Sequence, residues 1–174
     1  MIKLLAVIVV AVIALLLYAA TCPNSFRVQR SLRINAAPDR LFALLNDFRQ
    51  WSGWSPWEKM DPNMQRTFSG PDVGVGTVYE WQGNKKVGKG RMEILESSPS
   101  TQLRIKLDFF SPFEAHNTTE FTLQPQSNGT DVIWTMYGPS PFMSKLMGVV
   151  CNMDKLVGGD FERGLTNLKV LAEK

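Results

Sequence analysis

The feature that most constrains this fold is a stretch from about residue 65 to residue 137 in which apolar and polar side chains alternate. Alternation with a period of two is typical of strands that bury one face. Turn signals divide the stretch, among them Gly83-Asn84, Ser111-Pro112 and Asn128-Gly129, and the last is a strong signal for a tight hairpin. The pattern predicts an antiparallel meander of five or six strands.

Further elements are predicted on both sides of the meander. Residues 26–34 alternate like a half-buried strand, and Pro38 followed by Asp39 predicts the start of a helix of two to three turns. After the meander, apolar residues recur at intervals of three and four from residue 146 to residue 171. Gly158-Gly159 interrupts this run and predicts a kink or close packing. We expect an α+β fold in which a curved antiparallel sheet wraps around the long C-terminal helix.

The amino terminus is an unbroken apolar run from Leu4 to Ala20, preceded by Lys3. At about 1.5 Å per residue its helix would be roughly 25 Å long, the short end of a membrane span. We expect residues 1–22 to form a membrane anchor, followed by a tether, residues 23–26, and one domain, residues 27–174. The alternative is a cleaved signal peptide, but the bulky Tyr18 stands where cleavage after Ala20 needs a small residue.

The charged residues near this run favour opposite orientations in a membrane. Lys3 favours a cytoplasmic amino terminus with the domain outside, whereas Arg27, Arg30 and Arg33 favour the reverse orientation. Because these arginines lie on a predicted strand that folds away from the bilayer, we expect an external or periplasmic domain.

Composition excludes several classes of function. The 19 lysines and arginines against 16 acidic residues give a net charge of +3, spread along the chain, so we expect no nucleic-acid partner. Cys22 and Cys151 form neither a paired framework nor a metal motif. The sequence has no nucleotide-binding loop, no metalloprotease motif and no nucleophile elbow, and we expect no cofactor or metal.

Three tryptophans, Trp51, Trp54 and Trp57, follow one another at intervals of three around Gly53 and Pro56. Such a segment predicts a fixed loop with aromatic walls. We interpret Trp54 and Trp57 as the mouth of a pocket, or as side chains in the bilayer interface, with Trp51 behind them in the core.

Several segments together resemble one known family. They are Ile34–Phe42, Asp47–Trp51, Trp54–Trp57, Gly70–Gly76 and Gly159–Lys169. In this order they resemble the START-like (SRPBCC) superfamily, in particular its polyketide cyclase/dehydrase branch, over about residues 27–172. The resemblance implies a helix-grip fold with a hydrophobic cavity between the sheet and the last helix, which commonly holds lipids, sterols or polyketides. It implies no shared catalytic motif.

Aromatic and methionine side chains that can point inward are the candidates for contacting an apolar ligand. They are Trp54, Trp57, Tyr79, Trp81, Met92, Phe109, Phe121, Trp134, Met136, Met153 and Phe161. The weak candidates for acid–base chemistry are Glu58, which can equally hold its own loop, and Asp160, which can equally pair with Arg163. His116 is expected on a polar strand face with Thr118.

The sequence therefore favours a membrane-anchored module that binds an apolar or lipid-like small molecule. An enzyme of the cyclase or dehydratase type, using Asp160 or Glu58, is the alternative, and an envelope or stress-response scaffold is a third hypothesis. Asn117-Thr118-Thr119 and Asn128-Gly129-Thr130 match the glycosylation sequon, and we interpret both matches as chance because they fall in a predicted strand and a predicted turn.

Overall fold

The computed structural model describes residues 2–150 and 153–174. The helices are α1 (Ile2–Thr21), α2 (Pro38–Asn46), α3 (Phe142–Val150) and α4 (Met153–Ala172), with two short 3₁₀ helices, Phe48–Gly53 and Pro56–Lys59. The strands are β1 (Ser25–Ile34), β2 (Gln65–Ser69), β3 (Val78–Gln82), β4 (Lys89–Ser98), β5 (Gln102–Ser111), β6 (Ala115–Gln126) and β7 (Gly129–Pro139).

These strands form one curved sheet in the order β1-β7-β6-β5-β4-β3-β2, and all neighbours are antiparallel. The six-strand meander from β2 to β7 confirms the alternation pattern, and β1 joins its end beside β7. One face of the sheet is buried, as the alternating burial of β6 and β7 shows. The predicted α+β fold, a curved sheet with a long C-terminal helix, is confirmed.

The antiparallel order sorts the connections to two ends of the sheet. At the first, which we call the α1 end, lie the link from α1 to β1, the β3–β4 and β5–β6 turns, and the link from β7 to α3. At the other, which we call the α2 end, lie α2, the β2–β3 loop, and the β4–β5 and β6–β7 turns. The two ends of the sheet differ in the side chains that they expose.

Helix α4 covers the buried face of the sheet and runs from the α1 end toward the α2 end. Near its start, Asp154 meets Arg30 of β1, and just beyond its last residue Glu173 accepts a hydrogen bond of 2.8 Å from the Asn35 backbone N–H. In between, Phe161 stacks on Trp134 with ring centroids 4.0 Å apart. The stacked rings join the helix to the middle of the sheet.

The paired glycines lie inside a continuous α4, and of the two predicted alternatives, close packing is confirmed at Gly158. The guanidinium of Arg30 lies where a Cβ on Gly158 would project. Arg30 is bonded there to Asp154 at 3.0 Å and to Glu162 at 2.7 Å. Gly159 has no such neighbour, since the nearest atom to a Cβ there would be 3.9 Å away.

The periodic run from residue 146 to residue 171 is shared by two helices, α3 and α4. Because both helices continue the apolar spacing, periodicity alone does not reveal the boundary between them. Cys151 lies outside the described residues.

Helix α1 lies beside α3 and exposes most of its apolar side chains, among them Leu4, Val7 and Val10 at 65–67%. Within the described part of the chain, no helix combines the length and the apolar character needed to cross a membrane. Attachment of residues 4–20 to a membrane remains a prediction.

The two glycines of α4 provide a matched test of this packing. Gly159→Ala should stabilise the protein by up to about 1 kcal/mol, because alanine loses less conformational entropy in a helix. Gly158→Ala should instead lower the melting temperature, because its methyl group displaces the Arg30 guanidinium from Asp154 and Glu162. Thermal unfolding measures both variants, and equal stabilisation by both would contradict the role assigned to Arg30.

Candidate functional site

The inner face of the sheet is built in rows that run across the strands. The row that we call the first consists of Phe26, Gly138, Asn117, Leu107, Met92 and Tyr79. On β3–β6 a shorter row, Trp81, Gly90, Phe109 and Ala115, lies still nearer the α1 end. The second row consists of Val28, Met136, Thr119, Ile105 and Ile94, and the third of Arg30, Trp134, Phe121 and Leu103. The rows differ in character, because rings dominate the third and small or flexible side chains the first two.

An aromatic cluster fills the space between the third row and α4. Its members are Trp51, Trp54, Trp57, Phe121, Trp134 and Phe161, in a chain of ring contacts with centroids 4.0–6.3 Å apart. A Cβ at Gly164 would lie 2.7 Å from the Trp134 ring, so the glycine lets α4 approach it. Close packing of this kind leaves the middle of the predicted cavity occupied.

Trp54 does not lie at an entrance, contrary to our interpretation of the tryptophan spacing. Its side chain is 0% exposed, and its indole N–H points to the Leu44 carbonyl at 3.4 Å. Rings of Phe121 and Trp134 meet it edge-on, so burial removes its apolar area from water on every side. Trp57 is half-buried at the margin of the cluster, and Trp51 is buried in the core as expected.

The other predicted ligand residues lie in different places. A second aromatic group, toward the β2 edge of the sheet, contains Tyr79, Trp81 and Phe109, with the Trp81 and Phe109 ring centroids 5.7 Å apart. Met92 and Met136 lie in the first and second rows, and the side chain of Met153 lies outside the described part of the structure. The aromatic candidates therefore form two groups, which Phe48 links through ring contacts with Trp51 at 5.2 Å and Tyr79 at 6.0 Å. Tyr79 shares the first row with Met92, and Met136 lies in the second row.

The fold brings together Glu58, a candidate for acid–base chemistry, and Tyr79, a candidate for contacting a ligand. The Tyr79 hydroxyl donates to Glu58 Oε1 at 2.5 Å, and Arg66 Nε donates to Oε2 at 2.7 Å. Burial, aided by the neighbouring Glu58 carboxylate, raises the pKa of Tyr79 far above its ordinary value. Both carboxylate oxygens are thus occupied, and the cluster ties the tryptophan segment to β2 and β3.

The remaining buried or half-buried carboxylates also have structural partners. Asp160 forms the ion pair with Arg163 that the sequence offered as the alternative to catalysis. Asp61 accepts hydrogen bonds from the Asn84 backbone N–H at 2.6 Å and the Asn63 N–H at 3.0 Å, holding the β3–β4 turn. Within the described residues, no group of histidine, cysteine and acidic side chains is arranged to hold a metal ion.

His116 lies on the outer face of the sheet, as its strand pattern predicted. Its Nδ1 lies 2.7 Å from Asp108 Oδ1, and Lys106 Nζ lies 3.0 Å from the other oxygen. The hydrogen bond to Asp108 raises the pKa of His116 above its ordinary value. Burial acts to raise the pKa of Asp108, but hydrogen bonds from His116 and Lys106 outweigh it and lower that pKa.

Two open depressions lie away from the space beneath α4. One, of about 380 Å³, lies where the link from β1 to α2 meets the β6–β7 turn. The other, of about 680 Å³, lies beside α2 and includes Phe42, Asp47 and Val73. Neither contains any of the predicted ligand or catalytic residues.

Asn117 is the inner-face residue that sequence reasoning missed. It is 8% exposed, in the first row between Gly138 and Leu107, and its side-chain amide has no hydrogen-bond partner among the residues that the structure describes. The signal was present in the sequence, since a strand that places His116 and Thr118 outward must place Asn117 and Thr119 inward. The glycosylation sequon that includes Asn117 gives no indication of this inward position.

Comparison with known families shows which protein family the chain belongs to. A family model described as polyketide cyclase / dehydrase and lipid transport matches residues 25–173. The chain belongs to this family. The match covers the whole sheet and α4, and it confirms the resemblance to the polyketide cyclase/dehydrase branch.

Solved structures agree with the family fold. A protein from Chromobacterium violaceum is 20% identical with a TM-score of 0.61, over 88% of this chain and 99% of its own. The di-domain ARO/CYC proteins StfQ, from the steffimycin biosynthetic pathway, and BexL, from the BE-7585A pathway, are 11% and 14% identical, with TM-scores of 0.63 and 0.64. They align over 86% and 91% of this chain.

This family member spans about half the length of each di-domain protein, 51% of StfQ and 53% of BexL. At such low identity the similarity shows the fold and nothing more. A search of the curated proteins gives no match.

Trp54 and Trp57 should differ in how much each contributes to the stability of the domain. Trp54→Ala should lower the free energy of unfolding by about 3–5 kcal/mol, the usual cost of removing a fully buried ring. Trp57→Ala should cost clearly less, because Trp57 is half-buried at the margin. Urea denaturation compares the two, and an equally small loss for Trp54→Ala would restore the interpretation as a gate.

The pKa of His116 can be measured directly because the chain has one histidine. Proton NMR titration should place it above the ordinary histidine value, and Asp108→Asn should return it toward that value. Since protonation strengthens the contact with Asp108, its contribution to stability is complete below the ordinary histidine pKa and is lost as the pH rises through the raised one. An unshifted pKa in the wild type would contradict the contact.

Proposed function

We propose that this domain binds an apolar molecule that carries a hydrogen-bonding group, on the inner face of the sheet beneath the start of α4. We further propose that α1 attaches the domain to a membrane, with the domain on the external side as Lys3 favours. The observation that carries the first proposal is the unpartnered amide of Asn117 on a buried, otherwise apolar row of the sheet.

The surroundings of Asn117 suit an apolar ligand. Leu107, Met92 and Met136 are 6–9% exposed and lie in the first two rows. Methionine side chains adapt to ligands of different shape because three bonds rotate freely. Gly138 contributes no side chain to the first row, and a Cβ there would meet the Asn117 amide.

The amide itself supplies the specificity. When a bound ligand shields the amide from water, leaving it without a partner would cost about 1–3 kcal/mol, and a ligand that bonds to it avoids that cost. An amide both donates and accepts, so a carbonyl, hydroxyl or carboxyl group would serve. Ligand sites commonly combine an apolar lining with a few polar groups in this way.

The family and the amino terminus support the same proposal. The family description includes lipid transport as well as cyclisation and dehydration. Helix α1 exposes Leu4, Val7, Val10 and Leu17 at 64–67%, and so large an apolar surface needs a partner that shields it from water. A cyclase or dehydratase activity has less support, because Glu58 is closed by Tyr79 and Arg66 and Asp160 is paired with Arg163.

The proposal predicts the behaviour of Asn117→Leu in the full chain. The variant should bind a fluorescent fatty acid about 5- to 150-fold more weakly, because it loses one hydrogen bond worth about 1–3 kcal/mol, and it should be at least as stable as the wild type. Thr122→Val, a polar-to-apolar change on the outer face of the same strand, is the matched control and should bind normally.

Fluorescence titration measures binding, and native mass spectrometry after gentle extraction tests for a molecule that is retained from the cell. Undiminished binding by Asn117→Leu would remove Asn117 from the site. A wild-type chain that neither takes up the fatty acid nor retains any apolar molecule would overturn the proposed function.

A further inference from the structure

Two separate elements expose large apolar side chains at the α1 end of the domain. Where β5 leads into β6, Phe110 near the end of β5 and Phe113 in the β5–β6 turn are 45% and 63% exposed. In the first turn of α3, Phe142 and Met143 are 47% and 62% exposed. The sheet order places both elements at the end where α1 joins β1. Apolar residues gathered at one end of a molecule indicate an interaction surface, whereas single ones need no explanation.

Positive charge accompanies these side chains. Lys85, Lys86 and Lys89 are exposed in and beside the β3–β4 turn. That turn packs against the β5–β6 turn, since Gly88 lies against the Ser111 carbonyl with no room for a side chain.

The start of α3 is fixed to the same surface. Lys145 donates a hydrogen bond of 2.6 Å to Asn24 Oδ1, and the Ser140 backbone N–H donates to the Asn24 carbonyl at 2.7 Å. The carboxylate of the β5–β6 turn, on Glu114, lies 3.4 Å from His116 Nε2. Aromatic tips flanked by lysines are the side chains that suit the surface of a bilayer with anionic lipids.

The α2 end offers a contrast within the same molecule. Its exposed apolar residues, Val73 and Val75, lie in the β2–β3 loop beside Asp72, and the nearby depression includes Asp39 and Asp47. Carboxylates repel an anionic membrane surface. The α2 end has charges of both signs, since Arg49 pairs with Asp72 at 2.9 Å, whereas Lys85, Lys86 and Lys89 make the β3–β4 turn at the α1 end positive.

We propose that the β5–β6 turn and the start of α3 form a second membrane contact, seated on an anionic lipid bilayer beside α1. This inference rests on the proposed attachment of α1 to a membrane. The second contact would fix how the domain is oriented on the bilayer. The first row of the inner face, with Asn117, would then lie toward the end that faces the bilayer. An apolar ligand would then move between bilayer and protein without crossing water, where exposure of its apolar area is unfavourable.

Hydrogen–deuterium exchange of the full chain tests the contact in lipid nanodiscs. The discs contain phosphatidylcholine alone or an equimolar mixture with phosphatidylglycerol. The test variant combines Phe110→Ser with Phe113→Ser, and the matched control combines Val73→Ser with Val75→Ser at the α2 end. The readout is the segment 141–146 of α3, which neither variant alters, and exchange of β6 and β7 monitors the fold.

In anionic discs, segment 141–146 should exchange several-fold more slowly in the wild type and in the control than in the Phe110/Phe113 variant. The difference should shrink in neutral discs. Equal exchange in the wild type and in that variant, with both chains embedded in discs, would overturn the second contact and leave the attachment by α1 and the ligand proposal intact. A chain that enters neither kind of disc would overturn both the attachment and the contact, and the Asn117 experiment would still decide ligand binding.

Discussion

The stacking of Phe161 on Trp134 is the contact on which the rest of the domain depends. The sheet exposes one long apolar face, and α4 is the element that covers it, so the two must meet closely at some point. They meet where the rings lie 4.0 Å apart and where Gly164 presents no side chain to the Trp134 ring. Trp54 is then held between Trp134 and Phe121, so the tryptophan segment follows from this contact as well.

The same contact divides the inner face into regions with different properties. On its α2 side, Leu165, Leu168 and Ile34 are 0–1% exposed and close the core. On its α1 side, the rows contain methionines, a glycine and two polar residues, Asn117 and Thr119. Thr119 is satisfied, because it accepts from the Trp134 indole and donates to the Thr135 carbonyl. Asn117 has no hydrogen-bond partner among the described residues, and it lies farther from the stacked rings than Thr119. Elsewhere in the described residues, Thr77 Oγ1 and Arg104 Nε are fully buried atoms that also lack a partner.

Much of the fold followed from the sequence because strand alternation is a local signal. The period of two is enough to predict Phe121, Trp134 and Met136 on the inner face, where the three side chains lie. The inward direction of the Trp54 side chain could not be predicted from the sequence, since a loop without a fixed period does not show which side chain turns inward. The pairing of Glu58 with Tyr79 depends on two strands and a loop meeting in space, and no spacing in the sequence encodes it. The same alternation is enough to predict that the Asn117 side chain lies on the inner face.

The distribution of charge inside the domain bears on what kind of site can exist there. Every buried or half-buried carboxylate described above has a cation, a hydroxyl or backbone N–H groups within bonding distance. A carboxylate held in this way by structural partners is less available to exchange a proton with a substrate, as general acid–base catalysis requires. Asn117 is neutral at any pH, and in the proposed site it would bond a polar ligand group without the large cost of burying a charge. A site built around such an amide favours reversible binding over proton transfer, and an apolar ligand with one polar group matches both its lining and its chemistry.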